Sequence, residues 1–162
     1  MKLYFLRHGE AGHKAASDFE RELTDTGELS SKAVGSLCKK LHLHFSAAFT
    51  SPLVRAKQTA KLVLKELPNS TLEETAFLTP DANPENLLGM LKPFTAESRI
   101  LFVTHQPFAS TCISILISGT ESTRVVMKPC SFACIETDGV PLRGNGKLLW
   151  LLHPDLINEH FS

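Results

Sequence analysis

The sequence predicts an α/β sandwich built on a mostly parallel central sheet. Three observations carry that expectation. Short apolar runs alternate with amphipathic stretches in the order β-α-β-α-(β-α)-β-α-β-β. The chain of 162 residues has the length of one domain and shows no repeat, low-complexity tract or interdomain linker, so a single domain over 1–162 is expected. The chemically unusual residues fall just after the apolar runs, where ligands bind in such sheets.

Lys2 to Arg7 reads as a buried strand, short, apolar and soon followed by a glycine. Leu23-Thr24-Asp25-Thr26-Gly27 supplies capping residues for a helix in which Leu29, Ala33, Leu37 and Leu41 recur every four residues. Ala47 to Thr50 forms a second short strand. Pro52 suits the first turn of the next helix, which Ala56, Thr59, Ala60, Val63 and Leu67 continue on one face until Pro68-Asn69-Ser70 stops it. Thr71 to Leu78 is read as a short strand, and Pro84 to Leu91 as a small helix ended before Pro93. Arg99 to Thr104, with Ile-Leu-Phe-Val, is the clearest central strand. Pro107 then opens a helix reaching about Ser118. Ser131 to Glu136 and Lys147 to Leu152 close the sheet, joined by the glycine-rich turn at Gly139 to Gly146.

Composition narrows the function classes. Lysine plus arginine equal aspartate plus glutamate at 17 each, so no broad field draws the chain to nucleic acid or an anionic membrane, and neither is expected as a partner. The strongly apolar run Cys112 to Ile117 is far too short to cross a bilayer, and the run after Met1-Lys2 is too short for a signal-peptide core. A cytoplasmic location is the expectation. Cys38, Cys112, Cys130 and Cys134 lack the paired spacing of a zinc site and are read as reduced thiols. Cys130 and Cys134 are placed on one face of a strand, packed in the core.

Three segments follow predicted strands: Leu6-Arg7-His8-Gly9-Glu10-Ala11, Ser51-Pro52-Leu53-Val54-Arg55-Ala56, and Thr104-His105-Gln106-Pro107. They bring two arginines and two histidines towards one sheet edge. Phosphoryl transfer asks for positioning and charge around the equatorial oxygens. An arginine fork binds two phosphate oxygens at once, and histidine is a nucleophile whose ring is largely unprotonated at neutral pH. Gly9 lets the backbone approach closely and hold the second ring nitrogen of His8. The helix start at Pro107 adds donors and a positive dipole end.

With these residues in hand, the sequence resembles the histidine phosphatase superfamily, named for its Arg-His-Gly motif at the end of the first strand. Within it the chain is similar to the short SixA-type phosphohistidine phosphatases. The likeness includes Arg7-His8-Gly9-Glu10-Ala11, Ala16-Ser17-Asp18, Arg21-Glu22-Leu23-Thr24-Asp25-Thr26-Gly27, Ser51-Pro52-Leu53-Val54-Arg55-Ala56 and Thr104-His105. It runs to about Ile117; the last third matches only in length and strand pattern.

The resemblance implies a three-layer α/β/α sandwich of the phosphoglycerate mutase-like kind, with His8 as the nucleophile that becomes phosphohistidine. Arg7, Arg55 and His105 complete the implied phosphate pocket, His105 acting protonated as a donor. Arg21 is placed at the rim, touching phosphate or the incoming protein, or else pairing with Asp18 or Glu22. Gly9, Ser51 and Gln106 join Arg21 as substrate-binding candidates. No cofactor and no metal are implied, because the cationic groups supply the charge. His13 is read as a loop residue, His42 and His44 as residues near a helix end, Glu10 as orienting the loop, and His153 and His160 as terminal residues without an argued partner.

One departure bears on the substrate. Many members acting on phosphate esters carry a carboxylic acid between the second and third motifs that protonates the leaving alkoxide. Here Thr75-Ala76-Phe77-Leu78-Thr79-Pro80-Asp81 offers only Asp81, with Glu73 and Glu74 read as surface residues. A phosphohistidine can be protonated on its remote ring nitrogen beforehand and then leaves as neutral imidazole. The expected activity is therefore removal of phosphate from a phosphohistidine-bearing protein, such as a phosphotransfer domain or phosphocarrier, in a transient contact that yields phosphate. A small-molecule phosphomonoesterase of the same superfamily is the alternative, with mutase activity and a non-catalytic binding module behind it.

Overall fold

The computed structural model describes residues 1–67 and 70–161. Six strands form one sheet in the order β3-β2-β4-β1-β5-β6: β1 Lys2–Arg7, β2 Ala47–Thr50, β3 Leu72–Glu74, β4 Arg99–Thr104, β5 Phe132–Thr137 and β6 Gly146–Leu152. The first four strands run parallel, whereas β5 is antiparallel to β1 and β6 to β5. The carboxyl ends of β1, β2 and β4 thus share one edge. Arg7 pairs with Thr104, and Thr50 with Val103, so the segments after these strands begin side by side.

Five helices cover the faces: α1 Asp25–Lys40, α2 Val54–Leu64, α3 Pro84–Met90, α4 Phe108–Ser118 and α5 Pro154–Phe161. Alternation along β1 divides the core. Tyr4 and Leu6 point into a cluster with Val34 and Leu37 of α1, Ala60 and Val63 of α2, and Ile157 of α5. Leu3 and Phe5 point into another with Leu87 of α3 and Ile113 and Leu116 of α4. Successive strand side chains face opposite ways, so a sheet apolar at every position has to be covered twice. That is the three-layer sandwich.

Several elements differ from expectation. Leu29 in α1 and Leu41 at its C-cap are 64% and 49% exposed, while Ala33 and Leu37 are buried with Ser30, Ser31, Val34 and Cys38. Four residues turn a helix by about 400°, so a strict four-residue repeat drifts by about 40° per step and leaves the core at both ends. Only Leu72–Glu74 of the predicted Thr71–Leu78 strand pairs, and Ala76–Leu78 is a 3-10 turn whose Thr75 hydroxyl accepts from Phe77 N. Cys130 lies before β5 with φ at +60°, not in the strand with Cys134, although both enter the same core cluster. α5 occupies the segment that the sequence left without structure. The expected stop of α2 at Pro68 and Asn69 falls outside the described residues.

Candidate active site

His8 follows β1 directly, and its surroundings are wired through the main chain. Its backbone N–H donates to Thr104 O at 2.9 Å, which ties the loop after β1 to the end of β4. Its ring Nδ1 lies 2.7 Å from Gly9 O. A carbonyl only accepts, so Nδ1 carries the proton and Nε2 presents its lone pair. To that lone pair Arg55 Nε donates at 3.2 Å. Arg55 sits in the first turn of α2 and is 4% exposed. Thr59, one turn further on, accepts from Gly9 N at 3.0 Å and donates to Arg55 O at 2.8 Å, bracing the loop against the helix.

Gly9 is needed for space. A Cβ there would lie 2.7 Å from Gly27 O and 3.1 Å from Leu23 Cδ2, because the loop runs against the start of α1. Glu10 fixes that contact, its carbonyl accepting from Thr24 N at 2.9 Å and its carboxylate from Thr24 Oγ1 at 2.8 Å.

His105 follows β4 and is 1% exposed, its ring 4.9 Å from that of His8 between centroids. Both of its ring nitrogens are buried without a hydrogen-bond partner among the described residues, as is Arg7 Nε. Arg7 is steered by Met127 O, which accepts from its Nη1 at 2.7 Å. Two cations and two imidazoles thus converge, with buried donors left over. Such atoms are costly unless something pairs with them, and an anion is the complement they share.

Electrostatics follow from that crowding. Burial, opposed by the Gly9 hydrogen bond and reinforced by Arg55 and Arg7, pushes the His8 pKa down to about 4. Burial, then the charge of His8 and Arg55, pushes His105 down to about 3. At neutral pH both rings are therefore neutral. For His8 this leaves Nε2 unprotonated, its lone pair accepting from Arg55 Nε. For His105, expected as a protonated donor, burial and the neighbouring charges hold the ring neutral in the free protein.

The remaining candidates separate. Arg21 donates through Nε to Gly12 O at 2.7 Å, through Nη2 to Ala11 O at 3.2 Å and through Nη1 to Asp18 Oδ1 at 3.0 Å, so its fork shapes the rim loop. Ser51 is fully buried, its hydroxyl accepting from Leu53 N at 3.4 Å at the start of α2. Gln106 turns its amide to Ser110, donating from Nε2 at 2.6 Å and accepting from Ser110 N at 3.2 Å, so it caps α4. Leu78 O accepts from Thr104 Oγ1 at 2.7 Å, which fixes the stretch before Asp81 to β4 while Asp81 itself is exposed. His153 has a partner in Ser131 Oγ at 3.0 Å.

Sequence reasoning passed over Asp18 as more than a partner for Arg21. Its main-chain carbonyl accepts from Arg55 Nη1 at 2.6 Å and its Oδ2 from Arg55 Nη2 at 2.9 Å, on a short 3-10 turn at Asp18–Glu20. The signal was present in the Ala16-Ser17-Asp18 match but was not connected to Arg55. Thr59, four residues after Arg55 on the same helix face, was legible as a neighbour; the Met127 carbonyl carries no sequence signal.

Residues 3–78 match the family described as Histidine phosphatase superfamily (branch 1). The phosphohistidine phosphatase SixA of Escherichia coli is 28% identical over 158 residues, 95% of this chain and 94% of that protein. The structure of the protein histidine phosphatase SixA complexed with tungstate superposes with a TM-score of 0.87 at 27% identity, covering 97% of this chain and 99% of the other. The alpha-ribazole phosphatase of Shigella flexneri, at 18% identity and a TM-score of 0.71 over 90% of this chain and 96% of its own, shares the fold. With Arg7-His8-Gly9 at the end of the first strand, a neutral His8 ring beside Arg55, and a SixA-type likeness along nearly the whole length, the chain belongs to the histidine phosphatase superfamily as one of its phosphatases.

Proposed function

We propose that this phosphatase removes phosphate from phosphohistidine side chains of other proteins, residues 1–162 acting as one domain and His8 as the nucleophile. The observation that carries the proposal is the state of His8: Nδ1 held by Gly9 O and Nε2 unprotonated against Arg55, next to the His105 ring, whose nitrogens have no hydrogen-bond partner among the described residues. Its likeness to SixA supports the same substrate class.

In the first step His8 Nε2 attacks phosphorus and the substrate P–N bond breaks, the electron pair returning to the substrate imidazole. That ring keeps the proton on its remote nitrogen and leaves neutral. Arg7, Arg55 and His105 bind the equatorial oxygens, where buried donors are worth most. Phosphoryl dianion in the pocket raises the His105 pKa, so substrate and proton enter together. In the second step water attacks phospho-His8, the pair returns to Nε2, and phosphate departs with the proton released from water. Gly9 O orients the ring in both steps. Arg7, Arg55 and the protonated His105 supply the charge for transfer, so the proposed steps call on no metal. The cytoplasm, where phosphorylated signalling and carrier proteins reside, is the proposed setting.

The test compares a phosphohistidine-bearing protein with a panel of phosphate monoesters, using the purified protein and His8→Ala. Rapid, His8-dependent loss of protein phosphohistidine with slow ester hydrolysis is expected. A preference for esters would keep the nucleophile and move the function to small-molecule chemistry, with exposed Asp81 the next residue to replace.

A further inference from the structure

The charges of the site are layered. Deepest are His105 and Arg55, 1% and 4% exposed, with His8 at 8% and Arg7 half-buried beside them; the Arg55 guanidinium meets His8 through Nε. On the other edge of the same guanidinium stands the Asp18 carboxylate, its side chain 62% exposed. One guanidinium therefore separates the nucleophile from a carboxylate that opens to solvent.

A carboxylate beside a pocket for a phosphoryl dianion is a repulsive element. If its only use were to hold Arg55, the Asp18 carbonyl oxygen, which accepts from Nη1 at 2.6 Å, would already serve. The carboxylate is also fixed in its charged form, since Arg21 and then Arg55 hold it below the usual carboxylate range. It is thus unsuited to protonate a leaving alkoxide. A carboxylate offers about four lone-pair positions. Arg21 Nη1 and Arg55 Nη2 take one on each oxygen, leaving acceptor capacity towards the exposed side.

We propose that Asp18 is a specificity residue that accepts the remote ring N–H of the protonated phosphohistidine and so selects P–N over P–O bonds. The inference rests on the function proposed above and deepens it. From the inside outwards the protein presents cations and then an anion. A protonated phosphoimidazole presents the complement, a negative phosphoryl group followed by a positive ring. As His8 Nε2 bonds to phosphorus, the P–N pair moves onto the departing positive ring, which becomes neutral and keeps the N–H offered to Asp18. With an ester the leaving oxygen gains negative charge towards the same carboxylate, and the interaction reverses sign.

The test is Asp18→Asn, which keeps the shape and the main-chain carbonyl on Arg55 while removing the charge. Turnover of a phosphohistidine peptide and of para-nitrophenyl phosphate is measured beside the Kd for tungstate. Loss of a charge-assisted acceptor predicts a fall of about tenfold or more in kcat/KM for the phosphohistidine peptide. Tungstate is expected to bind as tightly or more tightly, and the ester to turn over as fast or faster. Parallel losses in all three would overturn the proposal and reduce Asp18 to an anchor for Arg55; unchanged phosphohistidine turnover would overturn it as well. A wild-type protein that turns over the ester but not the phosphohistidine peptide would instead sink the substrate reading on which it rests.

Discussion

The loops after β1 and β4 each carry a histidine to the same pocket, yet they are built in opposite ways. After β1, every polar group of the His8 ring is engaged before any substrate arrives, by Gly9 O and by Arg55. Thr59 and Thr24 fasten the loop behind it. After β4, the chain passes His105 and turns into α4, and the imidazole has neither nitrogen paired among the described residues. In the mechanism proposed above His8 is the nucleophile, which has to keep one tautomer and one direction of attack, and a pre-wired loop suits that role. A group that answers charge arriving on phosphate gains by being left short of partners, since the ligand then supplies the missing bond.

Breaking the wired loop should have the largest effect. His8→Ala removes the attacking atom, and turnover should vanish while the circular dichroism spectrum and tungstate binding persist; residual turnover above a metal-free blank would remove the covalent mechanism. Arg55→Ala strips the donor from Nε2 and the fork from the phosphate, so kcat should fall by about 10²–10³-fold. A variant within threefold of wild type would place the phosphoryl group elsewhere.

The unwired loop is probed by protons. With folded values of about 4 for His8 and about 3 for His105 against an ordinary 6.5, the unfolded chain binds more protons than the folded one between these limits. Stability should therefore hold above about pH 6.5 and decline steadily as the pH falls through that window towards the folded values. His105→Gln should flatten the decline, measured as melting temperature against pH. Tungstate at neutral pH should bind wild type with uptake of close to one proton, read from calorimetry in buffers of different ionisation enthalpy. No uptake would mean that His105 stays neutral and binds the anion only as an N–H dipole.

The smallest expected effect is on the packing behind the wired loop. Gly9→Ala pushes a methyl towards Gly27 O and Ser31 Oγ, at 2.7 and 3.0 Å from the ideal Cβ position. Overpacking of this kind costs about 1–3 kcal/mol. A fall of roughly 2–4 °C in melting temperature per kcal/mol is expected, with a larger proportional loss of kcat because the His8 ring shifts with the loop. Full activity at reduced stability would show that the loop tolerates a new course without losing the direction of attack.

Much of this was readable from residues alone. Buried parallel strands are short apolar runs, so β1 and β4 stood out, and the three segments that follow parallel strands could be assigned to one edge before any coordinates. The failures have physical causes as well. Leu29 and Leu41 share a four-residue spacing with the core residues of α1, and only the drift of a real helix turns them outward. The Ala76–Leu78 turn looks like strand because its three residues are apolar, yet only Leu78 is buried, and packing rather than pairing demands it.

By itself the sequence determined the alternation of elements, the sheet edge where the chemistry gathers, and the identity of the cationic groups there. These follow from hydrophobic period and from residue type, both local properties. Only the tertiary structure decided their states. It set the His8 tautomer through Gly9 O, left the His105 ring nitrogens without a hydrogen-bond partner among the described residues, and brought Asp18 to Arg55 across 37 residues of chain. Hydrogen-bond direction and burial depend on which distant groups the packing brings within 3 Å or so, and no local pattern encodes that distance.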